Sequence, residues 1–154
     1  SYKFDEVDVP QESLALYISP NPRDMWRATI RSIGKLATLL ECHGKNANPH
    51  QEVMSEVQRT SGNRKFVIFD IDEKDDKILE ECIDHCDGYC DVSETRGGYH
   101  IFVHKSKIDD ITDKMWYKKI ATHADQSGDI MTAAVGTYQG GHTPSFVYRM
   151  KINE

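Results

Sequence analysis

Residues 65–72 (KFVIFDID) form the stretch that most constrains how this chain can fold. Apolar side chains run almost without interruption into two carboxylates, a pattern typical of a buried strand that delivers paired acids to its C-terminal end. Because side chains alternate along a strand, Asp70 and Asp72 share one face and the apolar odd-numbered residues occupy the other. The stretch therefore predicts a central strand with an acidic face.

The pair Asp70 and Asp72 suggests a metal site. Two carboxylates about 7 Å apart on one sheet face repel each other unless a cation lies between them. Mg²⁺ and Mn²⁺ take oxygen ligands and keep open positions for substrate phosphates. The alternative is that both acids merely end the strand, with Asp72 capping a helix that begins near Lys74. The residues alone leave both interpretations open.

Length and composition favour one soluble globular domain. The chain has 154 residues, of which 38% are hydrophobic and 29% charged. Residues 1–12 are polar and acidic and predict a flexible N-terminal arm, which leaves residues 13–154 as the domain. The sequence contains neither a transmembrane stretch nor an apolar run after a basic start, so we expect a cytoplasmic protein without a membrane partner.

The net charge of −6 excludes a global basic field that would attract nucleic acid. Any contact with nucleic acid must therefore be local. Basic residues cluster at 59–65 and 105–119, where a solvated surface is the plainer interpretation.

Four cysteines raise the question of zinc. Cys82, Cys86 and Cys90 are spaced by four, but the chain lacks the Cys-x2-Cys pairs of most zinc sites, and Cys42 lies far away in the sequence. We expect buried free thiols in a reducing compartment.

The order of predicted elements is that of an α/β (α+β) fold. It has a single mixed or antiparallel sheet, helices on one face, and the other face open for substrate. Asn21-Pro22 predicts a helix start, with Asn21 as N-cap. The predicted strands are residues 14–18, 65–72, 89–94, 99–104 and 146–152, and the predicted helices are residues 22–42, 75–85 and 113–124. The polar residues 45–63 predict an excursion or flexible loop with at most a short helix near 51–58.

The turn at residues 95–98 could hold phosphate. Its glycines, among them Gly98, expose backbone N–H groups, and Arg96 and His100 add further donors. The alternative is a tight hairpin turn with a partly exposed histidine.

A third acid, Asp129, precedes the glycine-rich loop 136–141, which contains Thr137. Asp129 could join the acid pair on the open face, or it could be a turn residue. The loop could bind substrate, or it could simply precede the last strand.

Taken together, three motifs resemble those of the archaeo-eukaryotic primase (primase-polymerase) superfamily. They are FDID at 69–72, TRGGYH at 95–100 and Gly128-Asp129. The opening YISPNPR at 17–23 is similar to that of phage and plasmid members, and loop 136–141 is similar to the loop after their third motif. The resemblance spans residues 14–147.

The resemblance implies a modified RRM-like catalytic core that binds two Mg²⁺ or Mn²⁺ ions through Asp70, Asp72 and Asp129. It implies that His100 contacts the phosphates of a nucleoside triphosphate, together with Arg96, Gly98 and Thr137. The implied activity is nucleotidyl transfer to a 3′-hydroxyl on a single-stranded template. A helicase or accessory replication protein is the implied partner. Lys65 and Lys74 are further candidate phosphate donors.

Other functions fit the same residues. A metal-dependent nuclease needs the same acids, because hydrolysis and polymerisation differ in whether water or a hydroxyl attacks. A haloacid-dehalogenase-like phosphatase also carries Asp-x-Asp after a strand, but that family has Gly-Thr where this chain has Glu73-Lys74. A non-catalytic protein that binds nucleic acid or a replication protein is the third alternative.

Overall fold

A computed structural model describes residues 2–4, 7–9, 15–41, 48–126 and 131–151. Within these residues the helices are α1 (Met25–Glu41), α2 (Pro49–Arg59), α3 (Asp76–His85) and α4 (Trp116–Ile120), with a 3-10 helix at Lys105–Asp110. The strands are β1 (Tyr2–Phe4), β2 (Val7–Val9), β3 (Tyr17–Ile18), β4 (Phe66–Ile71), β5 (Cys90–Glu94), β6 (Tyr99–His104), β7 (Asp125–Gln126), β8 (Thr132–Ala133) and β9 (Ser145–Tyr148). No helix in the described ranges is long and apolar enough to cross a membrane.

The chain divides into two compact units, Ser1–Pro20 with Lys65–Glu154, and Asn21–Arg64. The first unit is built on a five-stranded antiparallel sheet with strand order β7-β4-β6-β5-β9. The predicted α+β class with an antiparallel sheet is confirmed. The division into an arm at 1–12 and one domain at 13–154 stays a prediction.

One face of the sheet packs on helices and forms the core. Phe69 and Ile71 of β4 are buried against residues of α3 and α4, and Phe69 meets Trp116 edge to face with ring centroids 6.1 Å apart. Burying a side chain of this size contributes about 1.5–3 kcal/mol. The apolar face predicted for residues 65–72 is therefore the core face, and the acids of the same strand point the other way.

Helix α3 begins after an aspartate cap. The Asp75 side chain accepts hydrogen bonds from the backbone N–H groups of Lys77 and Ile78. Asp75 therefore satisfies the free donors of the first turn. The alternative in which Asp72 caps this helix is wrong, which leaves Asp72 available for other interactions.

Residues 113–126 differ from the predicted single helix. Helix α4 covers only Trp116–Ile120, and Asp125–Gln126 forms strand β7 beside β4. The Asp113 side chain accepts a hydrogen bond from the Met115 N–H, and the helix begins at Trp116 rather than at the predicted residue 113. Hydrogen bonding to the free edge of β4 outweighs continuation of the helix, and this brings Asp125 into the sheet.

Two short ribbons complete the first unit. Strand β3 pairs with β8, and β1 pairs with β2 within the predicted arm. The predicted strand at 14–18 is confirmed only at Tyr17–Ile18, and the predicted last strand only at Ser145–Tyr148. Leu14 and Ile152 lie outside the described residues.

The second unit is a pair of helices. Helix α1 begins at Met25, and the Asp24 side chain accepts from the Arg27 N–H at 2.9 Å. Asp24 is thus the cap, and the prediction that Asn21 caps this helix is wrong. Helix α2 is an 11-residue helix, where the sequence predicted an excursion or flexible loop with at most a short helix near 51–58. It carries ion pairs to α1, Arg31 with Glu56 and Lys35 with Glu52.

Candidate functional site

Asp70 and His100, two of the side chains predicted from the sequence, meet on the sheet face away from α3 and α4. Strand β4 pairs with β6 so that Asp70 lies directly opposite His100. Residues opposite each other in an antiparallel ladder point to the same face. Pairing of two strands that are distant in sequence therefore creates the contact.

His100 and Asp70 are in direct contact. The imidazole Nε2 lies 3.2 Å from Oδ1 of Asp70, and the His100 residue is only 9% exposed. Its Nδ1 is buried and has no hydrogen-bond partner in the part of the chain that the structure describes. Buried ring nitrogens are normally paired, so His100 retains hydrogen-bonding capacity that the protein itself does not use.

Asp72 and Asp70 line a polar pocket together with a third acid, Asp125. Asp125 lies opposite Asp70 across the ladder between β4 and β7, and residues 121–124 close the pocket of about 280 Å³. Three carboxylates around one opening produce the field that attracts a divalent cation.

Sequence reasoning missed Asp125. It follows directly after the helix predicted at 113–124, and an acid in that position is interpreted as part of the helix end rather than as a site residue. An acid within the two-residue strand β7 leaves little signal, because such a strand is too short to show alternation. Only its pairing with β4 identifies it.

The third acid expected from the resemblance, Asp129, lies outside the described residues, as does Gly128. Its place in a metal site stays a prediction. Among the described residues, the acid beside Asp70 is Asp125, which precedes Asp129 by four positions in the sequence.

The turn at 95–98 is tied to the end of β4. The Gly98 N–H donates to the Thr95 hydroxyl at 3.0 Å, and the Thr95 N–H donates to the Gly98 carbonyl at 2.8 Å. A Cβ on Gly98 would lie 1.8 Å from the carbonyl oxygen of Ile71. Gly98 therefore permits close backbone approach at the residue just before Asp72, and its own N–H is already used.

Arg96 extends from this turn toward the second glycine loop. Its guanidinium lies so close to Gly140 that a Cβ there would be 2.7 Å from Nη1. The turn and the loop thus meet. Binding of phosphate by Arg96 stays a prediction.

Loop 136–141 is ordered by its own hydrogen bonds. Gln139 and His142 exchange backbone hydrogen bonds around Gly140 and Gly141, whose φ angles of 52° and 91° match a type I′ turn. The Thr137 hydroxyl accepts from the Leu16 N–H at 3.1 Å, and the Thr137 N–H donates to Ala134. Thr137 therefore holds strand β3 in place, and a role in nucleotide binding stays a prediction.

Of the two lysines suggested as phosphate donors, Lys74 forms an ion pair with Glu94 at 2.5 Å. The Lys65 carbonyl accepts from the Lys105 N–H, which anchors the start of β4. Both residues have structural interactions in this unit.

The described residues contain no group of three or more His, Cys, Asp or Glu side chains arranged to hold a metal ion. The donor set at the pocket nevertheless suits a hard cation, since Asp70, Asp72 and Asp125 supply only carboxylate oxygens.

Cys82, Cys86 and Cys90 are fully buried free thiols on the helix side of the sheet. Burial raises the pKa of Cys82 to about 11. A hydrogen bond between Cys86 and Cys90 lowers the pKa of Cys86 and, with burial, raises that of Cys90. These residues lie in the core, and Cys42 lies outside the described residues.

Comparisons of this chain with protein-family models, with curated proteins and with solved structures find no match. The chemistry of the site is therefore argued from the geometry above.

Proposed function

We propose that this protein is a nucleotidyltransferase of the primase-polymerase type, which adds a nucleotide to a 3′-hydroxyl on a nucleic-acid template with Mg²⁺ or Mn²⁺. The observation that supports it is the grouping of Asp70, Asp72 and Asp125 around one polar pocket, with His100 held by Asp70 at 3.2 Å. The motif resemblance points to the same residues, apart from Asp125.

Asp70, Asp72 and Asp125 are the side chains that would hold the cation. When bound, a divalent ion would lower the pKa of the attacking hydroxyl and neutralise charge on the leaving pyrophosphate. Without a cation, three carboxylates would repel a triphosphate, so the proposal requires one.

His100 is proposed to orient the phosphates. Its contact with Asp70 holds the ring on the open sheet face, and its Nδ1, which has no hydrogen-bond partner among the described residues, is the atom proposed to donate to a phosphate oxygen. A preorganised donor of this kind acts on the charge that develops during phosphoryl transfer.

The test is incubation of the protein with labelled nucleoside triphosphates and a primed single-stranded DNA template, with Mg²⁺ or Mn²⁺. Chain extension by the wild type, and a loss of about 1,000-fold or more in the variant Asp70→Asn with Asp72→Asn, are expected, because removing ligands of a catalytic ion costs several kcal/mol. Glu73→Gln is the matched control, since Glu73 is an exposed neighbouring acid that does not line the pocket.

Three outcomes would overturn the proposal. Shortening of the labelled strand, abolished by the same double variant, would instead identify a nuclease. Strand binding without turnover at any metal concentration would identify a non-catalytic nucleic-acid-binding protein. Extension that survives the double change would show that these acids do not carry the reaction. A thermal melt of each variant confirms that it is folded.

A further inference from the structure

A second pocket opens on the same sheet face, on the other side of His100. It has a volume of about 200 Å³ and an almost wholly apolar lining. Its floor is formed by Phe66 of β4 and Phe102 of β6, and Phe146 of β9 stands at its side. Ribbon residues Ile18 and Ala133 form the opposite wall.

The three phenylalanines give this pocket an aromatic lining. Phe66 and Phe102 meet edge to face with ring centroids 6.0 Å apart, and Phe102 is 7% exposed. Phe146 is 44% exposed, and the Arg149 guanidinium lies 5.1 Å from its ring centroid. Edge-to-face contacts hold aromatic rings at defined angles, so the pocket is preformed rather than collapsed.

The volume limits what can enter. An apolar cavity of about 150 Å³ holds benzene, whereas sites for whole drug-sized ligands span roughly 300–1,000 Å³. A pocket of about 200 Å³ therefore suits one planar ring system. The flat platforms that bind single strands expose several aromatic residues in a row to successive bases, which a walled pocket does not.

The pocket lies next to the acidic site on the sheet. Ser93 lines it, is 2% exposed and lies directly opposite His100 across the β5–β6 ladder. The ring centroids of His100 and Phe102 are 6.3 Å apart. A ligand with a planar ring in the apolar pocket would thus direct its other end toward His100 and Asp70.

We propose that this pocket binds the base of a single nucleotide whose phosphates lie toward His100. This inference rests on the proposed function, because it assigns the base subsite of the same substrate. Stacking on Phe146 and Phe102 would supply affinity that is largely independent of base identity. The polar residues that line the pocket are Asp91 and the buried Ser93 and Thr132.

The experiment measures binding of two probes to the full chain, adenosine without phosphate and inorganic triphosphate with Mg²⁺. Adenosine is followed by ligand-observed NMR, and triphosphate by calorimetry. Phe146→Ser is expected to weaken adenosine binding at least about fivefold and to leave triphosphate binding unchanged, because a base–aromatic stack is lost. Asp70→Asn should weaken triphosphate binding and leave adenosine binding unchanged.

Val147→Ser is the matched control. Val147 is the next residue of β9, is 47% exposed and does not line the pocket. Equal adenosine binding by Phe146→Ser and Val147→Ser, or no adenosine binding by the wild type, would overturn the base-pocket proposal. Binding of an oligonucleotide that depends on Phe146 while adenosine does not bind would also overturn it, by assigning the pocket to a strand.

The two proposals can fail separately. If Phe146→Ser loses adenosine binding but the wild type extends no primer, the base-pocket proposal is supported and the proposal of nucleotidyl transfer is contradicted. If the wild type extends primers and Phe146→Ser changes neither adenosine binding nor the KM for nucleotide, the proposal of nucleotidyl transfer is supported and the base-pocket proposal is contradicted.

Discussion

Asp70 and Asp125 face each other directly across the β4–β7 ladder, and Asp72 lines the same pocket. Like charges placed opposite each other destabilise a sheet. No lysine or arginine is among the described residues that line the pocket, although His123 lines it and His100 contacts Asp70. Grouping three carboxylates there therefore lowers the stability of the protein. This is the pattern expected of a site that works with a cation.

Asp125→Asn should therefore stabilise the protein and impair its activity. Relief of repulsion is expected to raise the free energy of unfolding by roughly 0.5 kcal/mol, which raises Tm by about 2 °C. Primer extension, the proposed activity, should fall at least about tenfold, since a proposed ligand of the cation is lost. Calorimetry and the extension assay measure the two effects. The control is Asp109→Asn, at an exposed acid outside the pocket, which should change neither Tm nor primer extension. A lower Tm for Asp125→Asn would contradict the prediction.

Gly98→Ala should destabilise the protein while Gly97→Ala should not. A Cβ at Gly98 would lie 1.8 Å from the Ile71 carbonyl oxygen, whereas a Cβ at Gly97 meets nothing within 4 Å. Backbone must move to admit the methyl group, at a cost of about 1–3 kcal/mol. Chemical denaturation of the two variants measures the difference. Equal stabilities would show that the hairpin turn is not packed against the end of β4.

Tyr99→Phe should lower stability at neutral pH, and less so at high pH. The Tyr99 hydroxyl donates to Asp76 at 2.8 Å, and this bond raises the pKa of Tyr99 to about 12. Because the folded pKa lies above the unfolded value of about 10, the stabilisation is complete below pH 10 and is lost as pH rises toward 12.

The expected loss for Tyr99→Phe at neutral pH is about 1.5–3 kcal/mol, the range for a hydrogen bond to a charged group. Urea denaturation at several pH values measures how the difference from wild type narrows. The control is Tyr117→Phe, at a side chain that is 36% exposed. A difference that stays constant up to pH 12 would show that the Tyr99 hydroxyl does not donate to Asp76.

The elements with strong local patterns were predictable. Residues 66–71 and the hairpin of β5 and β6 follow from alternation, and α3 follows from its apolar spacing. The failures occur where local signals are weak or compete. Asn21-Pro22 looks like a helix start, yet Asp24 provides the cap, because either residue type can accept the free N–H groups and position decides between them.

The candidate site shows the same division. The sequence predicted Asp70, Asp72 and His100 as members of one site, and the structure places His100 against Asp70. It could not predict Asp125 or the apolar pocket, because both depend on pairing between strands that are distant in sequence. The cofactor roles expected of Gly98 and Thr137 remain predictions, beside the structural contacts now seen for both.

The sequence by itself determined which face of the central strand is apolar and which is acidic, since alternation along a strand is a property of the backbone alone. Only the tertiary structure decided what the acids face. Register between β4, β6 and β7 placed His100 on one side of Asp70 and Asp125 on the other, and register depends on the whole sheet and its core rather than on any local pattern.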